Sequence, residues 1–325
     1  MIDTRLILVT GISGSGKSTT TRSLARQLHL NGIRCHWLHE EIRRHPIRDG
    51  EFTLGPLKTE ADYQRNIQDM YRRWGRMLGR ILRSKSVYIM EGVLTDNIIR
   101  YFFEGDYPPE KIMEYYDGLF QLLAPVRPAL VQLYRPNVRA TLEGIYPLRG
   151  QWWKDLILSG INNKRYMLNR GLSGDAGVYA MWEDYQALSN VCIRRYNGPK
   201  ITMDTSDGTW EQITKKITYF LGLEYHPLVE LPVYDPEQYC GRYAVEVEGK
   251  IHSIEVCFDG FRLFVKSWWP VMPLETLGQN RFEFISFPIR LTFQRDATGR
   301  VDSLDATGTY DWEIVGTHMQ RIMAD

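Results

Sequence analysis

From Leu6 onward the hydrophobic positions follow two spacings in alternation. Short strand-like runs occur at Leu6–Val9, Arg34–Leu38, Ser86–Met90, Ala129–Leu133 and Lys200–Met203. Helical patterns lie between and after them. Lys17–Leu30 reads as a helix stopped by Asn31-Gly32. Ala61–Ser84 reads as a long helix, because Ile67, Met70, Tyr71, Trp74, Met77, Leu78, Ile81 and Leu82 recur three and four residues apart. Gly208–Leu221 closes the series. Strands that alternate with helices predict an α/β domain: a parallel sheet with helices on both faces.

The spacing changes after "EYHPLVELPVYDP", where Pro227, Pro232 and Pro236 punctuate a linker. Beyond it, "YAVEVEG", "IHSIEVCFDG", "RLFVKSWWP", "RFEFISF", "IRLTFQRDATG" and "VDSLDATG" alternate with period two and end at Gly or Asp-Gly turns. This predicts an antiparallel β-meander curled into a small barrel or half-barrel, a lipocalin-like accessory domain over 227–325. The first domain is then 1–226.

Composition narrows the classes. The chain has 325 residues and a formal net charge of +1. No global field recruits nucleic acid or anionic lipid, and neither is expected as a partner. No apolar run approaches the ~20 residues that span a bilayer. The four cysteines are scattered without a CxxC, so reduced thiols and a cytoplasmic location are expected.

The chemistry is concentrated in "GISGSGKS", Gly11 to Ser18, which fits G-x-x-x-x-G-K-[ST] between a strand and a helix. In such a loop the amides from Gly11 through Ser13, Gly14, Ser15 and Gly16 to Thr19 turn toward phosphate oxygens, helped by the positive end of the following helix. Lys17 reaches the β- and γ-phosphates, and the Ser18 hydroxyl binds Mg²⁺.

With that loop in place, the first two-thirds of the chain resembles the P-loop kinases of the nucleoside and nucleoside-monophosphate kinase superfamily. Four further features agree. "HWLHEE" ends the second strand at Glu40 and Glu41, where nucleoside kinases place an acidic general base. "SVYIMEG" ends the third at Glu91-Gly92, similar to the "EG" of uridine kinases, and the resemblance makes Glu91 a holder of the metal's water shell. "PALVQLYRPNVRATLEG" and the Arg-bearing segment after it resemble a fourth strand plus lid. "KITMDTSDGTWEQI" resembles the last strand and the loop that packs the purine. The resemblance also implies that Gln64 and Tyr71, on a flank of the long helix, read the acceptor.

The lid, Gly144 to Gly174, offers Arg149, Lys164, Arg165 and Arg170. Phosphoryl transfer needs cations on the migrating group; Arg165 is taken as the catalytic one, with Arg149 and Arg170 binding substrate. By contrast, Arg65, Arg72, Arg73, Arg76, Arg80 and Arg83 lie opposite the apolar stripe of their helix and read as a solvated face. His36, His39 and His45 have no metal-ligand spacing. Core packing is the default for Trp152-Trp153 and Trp268-Trp269. The C-terminal meander resembles the small β-domain that follows some serine-hydrolase and β-lactamase-like domains, without a nucleophile–base set of its own. Ligand binding, homodimerisation and covering the kinase cleft are roles open to it.

These features together imply a P-loop small-molecule kinase that moves the γ-phosphoryl of ATP or GTP, with Mg²⁺, to a nucleoside, nucleotide or antibiotic-like metabolite. The competing reading is a nucleotide-switched binding module that signals through the β-domain. It is weakened by the absence of an "NKxD" base-reading motif.

Overall fold

The structure, a computed structural model, describes residues 3–48, 57–95, 98–229 and 231–322. The chain divides into two compact units. The first comprises Met1–Glu40, Arg44–Ile145 and Trp152–His226; the second comprises Glu41–Arg43, Tyr146–Gln151 and Pro227–Asp325.

In the first unit, β1 (Leu6–Thr10), β2 (Cys35–Leu38), β3 (Val87–Glu91), β4 (Ala129–Tyr134) and β5 (Lys200–Asp204) form a sheet in the order β2-β3-β1-β4-β5. Every pairing is parallel. All five residues of β1 are buried, as expected for the middle strand of a sheet covered on both faces. The chain leaves β1 for one side of the sheet and later crosses to the other. The loop after β1 therefore sits at a topological switch point, where α/β sheets collect ligands.

Helix α1 (Lys17–Leu30) packs Leu24 and Leu28 on the sheet. Its far end is tied to the end of the unit by Gln27 and Asn31, which bond the backbone of His226 and Glu224. Helix α2 (Glu60–Arg83) starts in a Thr59/Asp62 capping box and buries Tyr63, Ile67, Met70, Trp74, Met77 and Ile81. That stripe is narrower than the sequence pattern implies. Leu82 is 48% exposed, because one residue beyond Ile81 turns the side chain about 100° off the stripe. Helices α3 (Ile98–Glu104), α4 (Pro109–Leu123), α5 (Val138–Arg149), α6 (Gln151–Asn162), α7 (Arg165–Arg170) and α8 (Gly174–Arg195) add the outer layer. The expected lid segment is thus mostly helical, with "QWWKD" opening α6. Helix α9 (Trp210–Phe220) follows β5.

The second unit is a closed antiparallel barrel. Its strands are β6 (Gly241–Val247), β7 (Lys250–Phe258), β8 (Leu263–Lys266), β9 (Met272–Gly278), β10 (Arg281–Phe284), β11 (Ile289–Arg295), β12 (Val301–Gly308) and β13 (Thr317–Ile322). Two of the eight are not legible in the alternation. β9 carries Pro273, and β13 is polar apart from Met319 and Ile322. Yet β13 closes the ring by pairing with β6. The interior is filled by side chains, with Tyr243, Phe282, Phe284 and Phe293 each 2% exposed or less. Trp268 and Trp269 pack against this core, with Trp268 edge-on to Trp312.

Two short pieces from earlier in the chain join the barrel unit. Ile42 bridges to Tyr310, Arg43 pairs with Asp311, and the Tyr310 hydroxyl donates to Glu41 at 2.6 Å. Arg149 lies over the Trp269 ring at 4.6 Å.

Phe284 is fully buried, so Phe284→Ala should cost about 3–5 kcal/mol through lost burial and an unfilled cavity. Urea unfolding followed by the barrel tryptophans should show the loss as an earlier transition.

Candidate functional site

The loop after β1 keeps the geometry its glycines permit. Gly16 sits at φ 90° as the N-cap of α1, and a Cβ there would meet the Trp210 ring at 1.9 Å. Only glycine satisfies both the left-handed backbone and that close ring. The first turn of α1 carries no acidic residue and no side-chain cap. The helix dipole favours negative charge at that end.

Lys17 is 8% exposed and donates from Nζ to the carbonyls of Gly11 at 2.9 Å and Ile12 at 3.3 Å. The ammonium is thus held against the loop itself. Ser15 is fully buried, while Ser13, Gly14, Ser18 and Thr19 are half-buried. Behind the loop, Thr205 donates from Oγ1 to the Ser15 carbonyl at 3.0 Å, and Arg135 holds the Thr205 carbonyl. The loop between β5 and α9 is thereby fixed to the phosphate loop, with Trp210 resting on Gly16 and 40% exposed.

The two acidic strand ends converge because β2 and β3 are neighbours. Glu91, the last residue of β3, has no exposed surface. Its Oε1 accepts from Trp37 Nε1 at 3.1 Å and Thr21 Oγ1 at 3.2 Å, with His39 Nε2 at 3.8 Å. Its Oε2 is buried without a hydrogen-bond donor among the described residues. Burial pushes the Glu91 carboxyl above the ordinary glutamate value; His39 opposes this, Glu40 adds to it, and Ser18 and Lys17 oppose it. Gly92, at φ 65°, gives Glu40 its place: a Cβ on Gly92 would stand 2.0 Å from Glu40 Oε2. Arg48 braces the same turn from its guanidinium to the Glu40 carbonyl at 3.1 Å.

Lys17, Ser18, Glu91 and Glu40 are therefore brought to one place. The other residues singled out in the sequence have different surroundings. Glu41 parts from Glu40, because its side chain accepts from Tyr310 and its carbonyl from the Asp311 amide. Arg149 is stacked on Trp269. Arg170 pairs with Asp106 at 2.7 Å and covers the Tyr166 ring. Arg165 reaches the Lys58 carbonyl at 3.5 Å. Against the pull of burial, hydrogen bonds from Asn169 and Arg170 and the charges of Arg170 and Arg165 lower the Asp106 carboxyl from its usual value. Gln64 donates to Glu60 and Tyr107. Tyr71 donates to the Tyr115 carbonyl at 3.0 Å, its hydroxyl lying where a Cβ on Gly118 would be. That contact locks α2 to α4.

Four groups at the site were given no role in the sequence: Trp37, His39, Thr21 and Trp210. Trp210 lies inside "KITMDTSDGTWEQI", and the first two lie inside "HWLHEE", three residues and one before Glu40. Their role depends on β2 lying beside β3, which sequence spacing does not reveal. Thr21 sits one helical turn after Lys17, a spacing that puts both on the same face of α1.

A phosphate-binding loop at the switch point of a parallel sheet, with a buried acid on the adjacent strand, defines a P-loop kinase type of domain. Residues 3–89 match the family model for adenylylsulphate kinase. No curated sequence registers as a relative. Among solved structures the chain is similar to an unliganded sugar kinase from Janibacter sp., at 14% identity and a TM-score of 0.34, over 68% of this chain and 95% of that one.

Because burial raises the Glu91 carboxyl above its ordinary value, its ionised form costs the folded protein stability, and Glu91→Gln should stabilise the free protein wherever that form is populated. The penalty is fully present above the folded pKa and fades as pH falls through it, so the gain in Tm should be largest at alkaline pH and shrink on acidification. Thermal melts of both proteins across pH check this. A Tm gain that grew on acidification would contradict the assigned shift.

Proposed function

We propose that the first unit transfers the γ-phosphoryl group of ATP or GTP to a hydroxyl of a small molecule. The observation that carries this reading is the convergence of Lys17, Ser18, the buried Glu91 and Glu40 at the carboxyl end of β1–β3. The loop amides and the first turn of α1 bind the β- and γ-phosphates. Lys17 leaves the Gly11 and Ile12 carbonyls to follow the charge of the migrating group. The exposed face of Trp210, beside the loop, is where we place the nucleotide base.

The donor set fits Mg²⁺. Glu91 Oε2 is a buried carboxylate oxygen without a donor among the described residues, and Ser18 faces the same carboxyl. These two residues would hold the ion, Glu91 through its water shell, and the ion would neutralise phosphate charge. Glu40 takes the acceptor's proton. As the acceptor oxygen–phosphorus bond forms and the bond from the γ-phosphorus to the bridging oxygen breaks, the hydroxyl proton passes to the Glu40 carboxylate and ADP or GDP leaves. Glu40, with its side chain 27% exposed, is reachable by an acceptor, whereas Glu41 is occupied by Tyr310. Arg165 and Arg170 would approach the phosphates only by leaving their Lys58 and Asp106 contacts, a movement consistent with a lid.

The family description of residues 3–89 makes adenylylsulphate the first acceptor to assay, followed by nucleosides, nucleotides, sugars and aminoglycoside-like compounds. ADP release stimulated by one of them identifies the acceptor class.

Lys17→Ala should leave the fold intact and lower turnover by at least ~10²-fold, the scale of one preorganised electrostatic contact. Unchanged turnover would remove the loop from the chemistry. The acids should separate. Glu40→Gln should lower kcat by roughly 10²–10⁴-fold with little change in nucleotide affinity. Glu41→Gln should leave kcat within about a factor of ten of wild type. The reverse ranking would make Glu41 the base.

A further inference from the structure

A second concentration of charge lies in the first unit, on the outward face of α2. Arg73, Arg76 and Arg80 follow one another at spacings of three and four, so they share one side of the helix. Opposite them runs the turn after β2, in which Arg44 adopts φ 54°. Between turn and helix is an open groove of about 570 Å³, lined also by Pro46 and Met77. That volume is in the range of small-molecule sites.

Among the described residues, the charges in the groove are only partly balanced. Arg73 is spoken for: it bonds Asp69 at 2.7 Å and the Ile47 carbonyl at 3.5 Å, which holds the turn to the helix. Arg44 and Arg76 have no carboxylate partner among the described residues, and Arg80 has only the Tyr88 ring, 5.8 Å away. Like charges one helical turn apart repel, so the arrangement disfavours the isolated helix.

The lining supplies an independent sign of a ligand. His45 lines the groove and is 2% exposed. Its Nδ1 accepts from the amides of Ile47 at 3.1 Å and Arg48 at 2.9 Å. The ring proton is therefore on Nε2, and Nε2 is buried without a partner. Burial, then the charges of Arg48 and His39, lower the His45 pKa to about 4 against the opposing pull of Glu40, so the ring is neutral. A buried N–H donor left unmatched beside unbalanced guanidinium groups wants an anionic oxygen.

We propose that this groove binds a small molecule carrying at least two phosphate charges, with Arg44, Arg76 and Arg80 on its oxygens and His45 Nε2–H beneath it. The same turn carries Arg48, which braces Glu40, so an occupant that shifts residues 44–48 also shifts that acid.

The test is calorimetric titration of the full chain with inorganic tripolyphosphate, without magnesium, in a Lys17→Ala background that disables the phosphate loop. One binding event should remain. Arg44→Ala with Arg76→Ala should weaken it at least about tenfold with an unchanged Tm, since both side chains are exposed. His45→Asn keeps an acceptor for the two turn amides and deletes the Nε2 donor; it should weaken binding about fivefold. Absence of binding in the Lys17→Ala protein, or binding indifferent to the arginine pair, would overturn the proposal. The source of the phosphate is read from turnover of the wild-type protein. Tripolyphosphate competing with the acceptor means the groove holds the acceptor's own phosphate; a change in kcat without competition means a separate effector. Either effect should disappear in the arginine pair.

Discussion

Placing an ionisable carboxylate with no exposed surface beside a phosphate-binding loop is the constraint around which the first unit is built. Glu91 is out of water, and a charge in that position is costly unless its oxygens are matched. The protein matches only one of them. Trp37 and Thr21 hold Oε1, while Oε2 is left without a donor among the described residues. The neighbours follow from this need. β2 must lie beside β3 to bring Trp37 and His39 to the carboxyl, and α1 must begin at Lys17 to bring Thr21. Gly92 must lack a side chain for Glu40 to stand alongside. Burial of such a group raises its carboxyl above the ordinary value, so its ionised form costs the fold stability.

The barrel obeys a different constraint. Eight antiparallel strands close on themselves, which leaves no strand edge for unwanted pairing, and the interior is filled with aromatic rings. The loop around Tyr310–Trp312 then captures Glu41–Arg43 through a bridge, an ion pair and a tyrosine–carboxylate bond. The unit boundary thus falls inside the Glu40-Glu41 pair. Two adjacent acids, chemically alike, are given different partners by that one peptide bond.

The arginines of α2 show how far a helical period can be read. The period correctly separates the face that buries Met70 and Trp74 from the face that carries Arg76 and Arg80. It says nothing of what stands across from the charged face. Arg44 and His45 arrive there through a turn with a left-handed residue, and that turn is held by Arg73 to Ile47.

The sequence by itself determined the elements whose signals are local: the strand, glycine loop and helix from Leu6 to Leu30, the long helix before β3, and the change to period two after the prolines. Each depends on residues within a turn or two of one another. The strands β9 and β13 escaped that reading, since Pro273 and a run of polar residues weaken alternation and only pairing with neighbours makes them strands. Among candidate site residues, the loop from Gly11 to Thr19 was legible because one continuous stretch carries the whole binding geometry. Glu40 and Glu91 were legible as strand ends, but their meeting was decided by the strand order β2-β3-β1, which no spacing encodes. The lid arginines were named by residue type within the lid segment, and Gln64 and Tyr71 by their flank of the long helix and the resemblance. Tertiary packing gave them Asp106, Glu60 and the Tyr115 carbonyl, because a long side chain takes whichever partner the fold brings within reach.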